Sequence, residues 1–344
     1  MKKKSSFKKI ILAFLILTVI AVLLLGLDFY LKVFPPYEGH DAPVTIRIPK
    51  GLPVSSIARL LERNHIIANT NYFKIYYRLF ANKSNFKSGE YRFDRPMSVK
   101  EVIEKLQEGK VVLHKITIVE GLTISEIAAY LGQNHGINAQ DFLNHARSTH
   151  LIQDIDPKAD DLEGYLFPDT YMVESNITAE EMVNVMVEKF KEIFTQAMKW
   201  RADEMNLTVR EVITMATLIE KESASKAERF LVSSVFHNRL RIGMTMGCDP
   251  TIIYALKRDN RYPGRLGWAE LKYDSPYNTR LHKGLPPGPI CCPGYSSIEA
   301  ALYPENTKYL YFVAKNSSSH FFSASLEEHN RAVQKYIINH QTDQ

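Results

Sequence analysis

Hydrophobic and polar positions follow three patterns along this chain. From Ile10 to Leu27 every residue is uncharged and most are Leu, Ile or Val, which meets the roughly 18 apolar residues needed to cross a bilayer core. From Ile46 the pattern shortens to a strand-like alternation ("IRI"), a turn glycine and the helical spacing of "SSIARLLERNHII". The same order returns seventy positions later as "ITIVEGLTISEIAAYLGQNHGI" from Ile116. Ile46/Ile116, Ile48/Ile118, Gly51/Gly121, Leu61/Leu131 and His65/His135 coincide, so the chain carries an internal repeat of strand, turn and amphipathic helix. Beyond Asp161 the elements lengthen, and Glu180 to Trp200, Val209 to Glu222 and Phe230 to Leu240 are predicted helices. Ser98-x-x-Glu101, Thr123-x-x-Glu126, Thr178-x-x-Glu181 and Ser225-x-x-Glu228 have the spacing of capping boxes. Gly109 suits a helix C-terminus.

These patterns predict an α+β protein with six parts. They are a basic tail over 1–9, a transmembrane anchor over 10–30, a proline-bearing linker over 31–43, a strand–helix module over 44–114, a second repeat-like module over 115–160, and a catalytic region over 161–344. No small-residue cleavage site follows Leu27, so the apolar run reads as an anchor rather than a cleaved signal. Small strand–helix units just outside a membrane resemble LysM-type glycan-binding modules; the competing reading makes them spacers. His65 and His135 fall at equivalent helix ends, where a structural role is expected rather than metal binding.

Charge sharpens the topology. The net charge is +5, and Lys2, Lys3, Lys4, Lys8 and Lys9 precede the apolar run. Lysines on that side predict a cytoplasmic N-terminus and a body outside the cytoplasmic membrane, in the periplasmic or extracytoplasmic space. The remaining 38 basic residues balance 38 acidic ones, so nothing suggests a nucleic-acid partner. The histidines form no H-E-x-x-H spacing and the three cysteines no C-x-x-C pair, so no metal or other cofactor is expected. A bridge from Cys248 to Cys291 or Cys292 stays open.

"ATLIEKES", Ala216 to Ser223, ends an apolar run with two glutamates. At 100° per residue, Glu222 shares the stripe of Met215, Leu218 and Ile219, while Glu220 points away towards Ile213 and Thr217. A carboxyl set against apolar neighbours at a helix C-terminus is costly to ionise. It can stay protonated near neutrality and give its proton to a leaving oxygen. The competing reading pairs Glu222 with Lys226 at i+4 on the surface. The next hundred residues are rich in loop motifs, among them "VFHNRL", "CDPTIIY", "SPYNTRLHKGLPPGPI" and "HFFSASLEEHN". Tyr254 and Tyr277 are candidates to stack on sugars, and Asn238, Arg239, Asp249 and Asn278 to bind hydroxyl or N-acetyl groups.

Together with "EGYLFPDTY" at Glu163 to Tyr171, these motifs closely resemble the endolytic murein transglycosylase family of the MltG (YceG-like) type, over almost the whole chain. The resemblance implies that Glu222 is the catalytic acid/base. It implies cleavage of the β-1,4 bond between N-acetylmuramic acid and N-acetylglucosamine inside nascent strands, leaving 1,6-anhydro ends and ending elongation near the peptidoglycan synthases. Peptidoglycan strands and penicillin-binding synthases are thus the expected partners. Thr251 and Glu163 join the candidate substrate-binding residues. The chain departs from the pattern at Met246-Gly247-Cys248, where the family has Leu-Gln, and at Cys291-Cys292. Two rivals remain: a water-using muramidase, for which Glu163, Asp169, Glu228 or Asp249 is a candidate second carboxylate, and a non-catalytic wall-binding scaffold.

Overall fold

The computed structural model describes residues 2–41, 43–81, 85–316 and 318–338; of residues 2–7 it describes the backbone alone. Met1, within the predicted basic tail, and the side chains of Lys2, Lys3 and Lys4 lie outside this description. The fold is mixed α+β with one N-terminal apolar helix, and the chain divides into two compact units.

Unit one holds 1–115 and 172–176. Helix α1 (Lys2–Val33) contains a span, Lys8–Val33, long and apolar enough to cross a membrane. It extends three residues beyond the expected anchor, into the predicted linker. Strand β1 (Val44–Ile48), helices α2 (Val54–Arg63) and α3 (Thr70–Phe80), strand β2 (Gly89–Phe93) and helix α4 (Val99–Glu108) follow. β1 and β2 pair antiparallel, with Ile46 opposite Tyr91. Their inward residues Ile46, Ile48, Tyr91 and Phe93 bury against Ile57, Leu61, Phe73, Val102 and Leu106. The alternation in the strands and the 3.6-residue spacing in the helices bring these side chains to one core. Ser98 caps α4 with a complete capping box, and Gly109 ends it in the left-handed region at φ 73°.

The repeat is legible in three dimensions. Strand β3 (Leu113–Thr117), helices α5 (Ile124–His135) and α6 (Ala139–Ala146), and strand β4 (Thr170–Glu174) repeat the strand–helix–helix–strand order, and β3 pairs with β4. Thr123 caps α5 as expected. His65 follows α2 with φ 56°, and His135 ends α5 with its ring against Tyr130.

Unit two holds 116–171 and 177–344. After α7 (Ala179–Ile193) come α8 (Gln196–Glu204), α9 (Val209–Glu222), α10 (Arg229–Arg241), α11 (Asp249–Arg258) and α12 (Tyr295–Leu302). The antiparallel pair β5 (Tyr311–Asn316) and β6 (Ser319–Ser323) precedes α13 (Leu326–Val333). Helix α9 is the axis of this unit: Val212, Ile213, Met215, Ala216, Leu218 and Ile219 are all fully buried, against α8, α10, α11 and α12. Two expectations are corrected. The single helix predicted over Glu180 to Trp200 is two, because Phe194 leaves the helical region and the Thr195 side chain caps a new start by accepting the amide of Met198. The Ser225-x-x-Glu228 box does not form. Ser225 makes no side-chain cap, and Glu228 instead accepts from the amide and ring of His320, at 2.8 and 2.9 Å.

Candidate active site

The predicted helix α9 ends at Glu222, with Ser223 as its C-cap. The two glutamates of "EKE" separate as the helical geometry predicts. Glu220 turns inward to an ion pair with Arg229 at 2.6 Å, both side chains 7% exposed. Glu222 makes no hydrogen bond among the described residues, and the predicted partner Lys226 pairs instead with Glu120 at 3.6 Å. Glu222 is only partly covered at its surface, yet the protein packed around its carboxyl pushes its pKa up to about 7. The charge of Asp249 pushes the same way, and Arg239 and Arg280 oppose it. One residue on, the Ser223 hydroxyl is buried without a partner.

The charges around Glu222 are held by identifiable bonds. Asp249 opens α11, next to Pro250, and its carboxylate accepts from Arg280 Nε at 2.6 Å. Arg239, in the last turn of α10, donates to the carbonyls of Leu310, at 2.7 Å, and Met246, and lies over the Tyr311 ring. Gly247 adopts φ 67°, and a Cβ there would meet Arg239 at 3.5 Å, ordinary contact, so the glycine serves the backbone turn rather than space. Beside it the Cys248 thiol is buried and driven well above its usual pKa, first by burial and then by Glu222. All three cysteines are free and buried, so the bridge left open by the sequence is not formed.

A second buried carboxyl lies in the same unit. Glu163 is 6% exposed and accepts from the amide of Ile124, at 3.2 Å, and from the Tyr254 hydroxyl at 3.4 Å. Burial, with the charge of Asp161, pushes its pKa up to about 8. The Tyr254 and Tyr277 rings lie 5.1 Å apart, with Arg258 over Tyr277. A cavity of about 720 Å³ opens here, lined by Thr123, Glu126, Glu163, Tyr254, Lys257 and Arg258 among others. Glu222 is not in that lining; Tyr254 is five residues along α11 from Asp249, or about 8 Å at 1.5 Å per residue. A carboxyl with pKa raised from 4.5 to about 8 favours folding most below its unfolded pKa, and that contribution is lost as pH rises from about 4.5 to 8. Wild type is therefore expected to lose a few kcal/mol across that window, at about 1.4 kcal/mol per pKa unit, and Glu163→Gln to flatten the slope, leaving the part that Glu222 contributes. Urea midpoints at pH 5 and 8 measure it.

Three of the predicted substrate contacts are engaged in bonds inside the protein. Asn238 donates its amide to the carbonyls of Thr307 and Tyr309, at 3.0 and 2.9 Å, and pins that loop. Asn278 is fully buried and donates to the carbonyls of Leu271 and Tyr273. Thr251, also fully buried, donates to the Cys248 carbonyl at 2.7 Å. Their polar atoms are satisfied inside the protein, as buried polar groups generally are. Sequence reasoning passed over Arg280, although it follows "PYNT" directly, and over Lys257 and Arg258, which follow Tyr254 on α11.

The model of the YceG-like family matches residues 46–335. The chain belongs to this family. It is 34% identical over 319 residues to a Bacillus subtilis (strain 168) protein named endolytic murein transglycosylase, covering 88% of this chain and 87% of that one. A protein of the same name from Streptococcus pneumoniae (strain ATCC BAA-255 / R6) is 29% identical over 352 residues; the match covers 91% of this chain and 62% of the pneumococcal one. The crystal structure of a putative YceG-like protein from Listeria monocytogenes superposes with a TM-score of 0.58 at 33% identity, over 84% of this chain and 98% of that one. Within the YceG-like match fall Glu222, Asp249, Arg239 and Arg280, and likewise Glu163 with its cavity.

Proposed function

We propose that this protein is a membrane-anchored endolytic lytic transglycosylase that cuts the N-acetylmuramic acid–β-1,4–N-acetylglucosamine bond within peptidoglycan strands, with Glu222 as its acid/base. The observation that carries the reading is a carboxyl at the end of α9, without a hydrogen bond among the described residues and raised to a pKa of about 7, in a YceG-like chain. Protonated Glu222 gives its proton to the glycosidic oxygen as the bond to the anomeric carbon breaks, and the bonding pair leaves with the N-acetylglucosamine oxygen. The resulting carboxylate takes the proton of the muramic acid 6-hydroxyl as that oxygen bonds to the anomeric carbon. The anhydro ring closes, no water is consumed, and Glu222 is protonated again. One carboxyl serves both steps because a pKa near the working pH populates both forms.

The finer parts of the reading rest on placement. A cytoplasmic N-terminus and an extracytoplasmic body are supported by the lysines that precede the apolar stretch of α1. Glycan binding by the LysM-like unit is supported by its β1–α2–α3–β2 order. The cavity beside Glu163 and Tyr254 suits neighbouring sugars of the strand, and an end to elongation beside the synthases suits an endolytic cut made at the membrane.

One observation favours the muramidase reading enough to test: the Asp249 carboxylate is close enough to act on the pKa of Glu222, and a second carboxylate can activate water. The masses of muropeptides released from purified peptidoglycan separate the two. Products one water lighter than hydrolytic fragments support the transglycosylase; full hydrolytic mass would sink it. The pH profile reports the same pair. Asp249 raises the pKa of Glu222, and removing it leaves Arg239 and Arg280 to act in the opposite direction. Asp249→Asn is therefore expected to move the basic limb of kcat/KM to lower pH; an unmoved limb means that Asp249 does not set the acid.

A further inference from the structure

Helix α3 is not amphipathic in the simple sense of one buried and one polar face. Phe73 and Tyr76 are buried, and at 100° per residue the opposite side carries two chemically distinct strips. Lys74 and Arg78 form one; both are exposed and make no ion pair among the described residues. Ile75 and Leu79 form the other, 42% and 66% exposed, with Phe80 at the helix end 61% exposed.

Beside this apolar strip, aromatic rings of α3 pack on α1. Phe29 of α1 lies 6.2 Å from Tyr72 and 6.2 Å from Phe80, residues about 12 Å apart along α3 at 1.5 Å per residue. Phe34, just past α1, packs on Tyr76, which in turn meets Phe80. The Tyr72 hydroxyl donates to Asp28, covering the acidic side chain of the apolar span's last turns. Tyr30 and Phe34 stay exposed on the same stretch, as does Lys32. Aromatic rings where an apolar helix ends are the pattern of a bilayer's interfacial belt. A helix with bulky apolar residues flanked by unpaired cations is the pattern of one lying in that interface.

We propose that α3 is a membrane-surface helix, with Ile75 and Leu79 dipping into the bilayer that α1 crosses and Lys74 and Arg78 meeting anionic lipid headgroups. This rests on the reading of α1 as a membrane anchor. The unit that follows the anchor is then held against the lipid surface at two places rather than tethered at one.

Tryptophan probes in the full chain test it, with Trp200→Phe and Trp268→Phe removing the native signal. The protein is placed in vesicles of phosphatidylcholine and phosphatidylglycerol whose acyl chains are brominated near the headgroup. Leu79→Trp is expected to be quenched about twofold more strongly than Arg59→Trp, on exposed α2, as befits an interfacial position. Its quenching is expected to rise with the phosphatidylglycerol fraction, and Lys74→Glu with Arg78→Glu to abolish that rise. Leu17→Trp, inside α1, reports anchoring separately. If Leu17→Trp is quenched and Leu79→Trp is not, the proposal for α3 is overturned while the anchor stands. If neither is quenched, both readings fall.

Discussion

Replacing Glu222 with Gln is expected to lower turnover of glycan strands by about 10²–10⁴-fold, the range that one positioned acid/base contributes, while leaving the fold intact. The two halves of this expectation have separate causes. The carboxyl makes no hydrogen bond among the described residues, and burial with the charge of Asp249 makes its ionised form costly. An amide of the same shape removes that cost, so at pH 8 the variant should unfold no earlier than wild type. The chemistry has no such substitute, because an amide neither delivers the proton to the leaving oxygen nor accepts one from the 6-hydroxyl. Turnover of purified strands and urea midpoints on the same preparation check both halves. A wall-binding scaffold would keep its cellular effect in this variant, and retained effect with lost turnover would count against catalysis as the protein's role.

That Glu220 and Glu222 take different surroundings was legible in the sequence because helical angle alone separates residues two apart; that Glu220 is the one held in a buried ion pair was not. The same geometry located α9 to the residue, since Thr208 and Glu211 cap its start and nothing in its apolar run interrupts the period. The repeat was legible for a similar reason: strand alternation, turn glycine and amphipathic helix recur together. What the sequence withheld was the destination of polar side chains in loops. Asn238, Asn278 and Thr251 are the residue types that bind sugars, and equally the types that satisfy buried carbonyls. Only the packing of the 307–309 loop, the 271–273 turn and the Cys248 carbonyl decides between the two. Ser225-x-x-Glu228 failed as a cap because His320, distant in sequence, competes for the same carboxylate. Local patterns predicted local bonds well; contacts between segments far apart in sequence had no local signature.

The discarded glutamate carries the other large effect. Glu220 accepts from Arg229 at 2.6 Å, from the amide of Gly294 at 3.0 Å and from the Ser297 hydroxyl at 2.8 Å. Gly294 is the N-cap of α12, so the carboxylate also sits where a helix dipole favours an anion. Arg229 opens α10 and reaches Glu120 at 3.1 Å as well. One ion pair thus joins the end of α9 to the starts of α10 and α12, two residues before the acid. Arg229→Ala leaves Glu220 buried with its charge uncompensated, and removing one partner of such a pair costs about 3–5 kcal/mol. Arg229→Lys should recover only part of this, since an ammonium cannot span Glu220 and Glu120 as the guanidinium does. Replacing both partners, with Glu220→Gln and Arg229→Met, should cost less than the two single changes added together, because neither leaves a bare charge. Chemical denaturation of Glu220→Gln, Arg229→Met and the double variant beside wild type measures the coupling. Additive losses would mean that the pair does not act as a unit. If it does, Arg229→Ala should also lower kcat in the fraction that remains folded, because the helix end presenting Glu222 has then lost its tie to the start of α10.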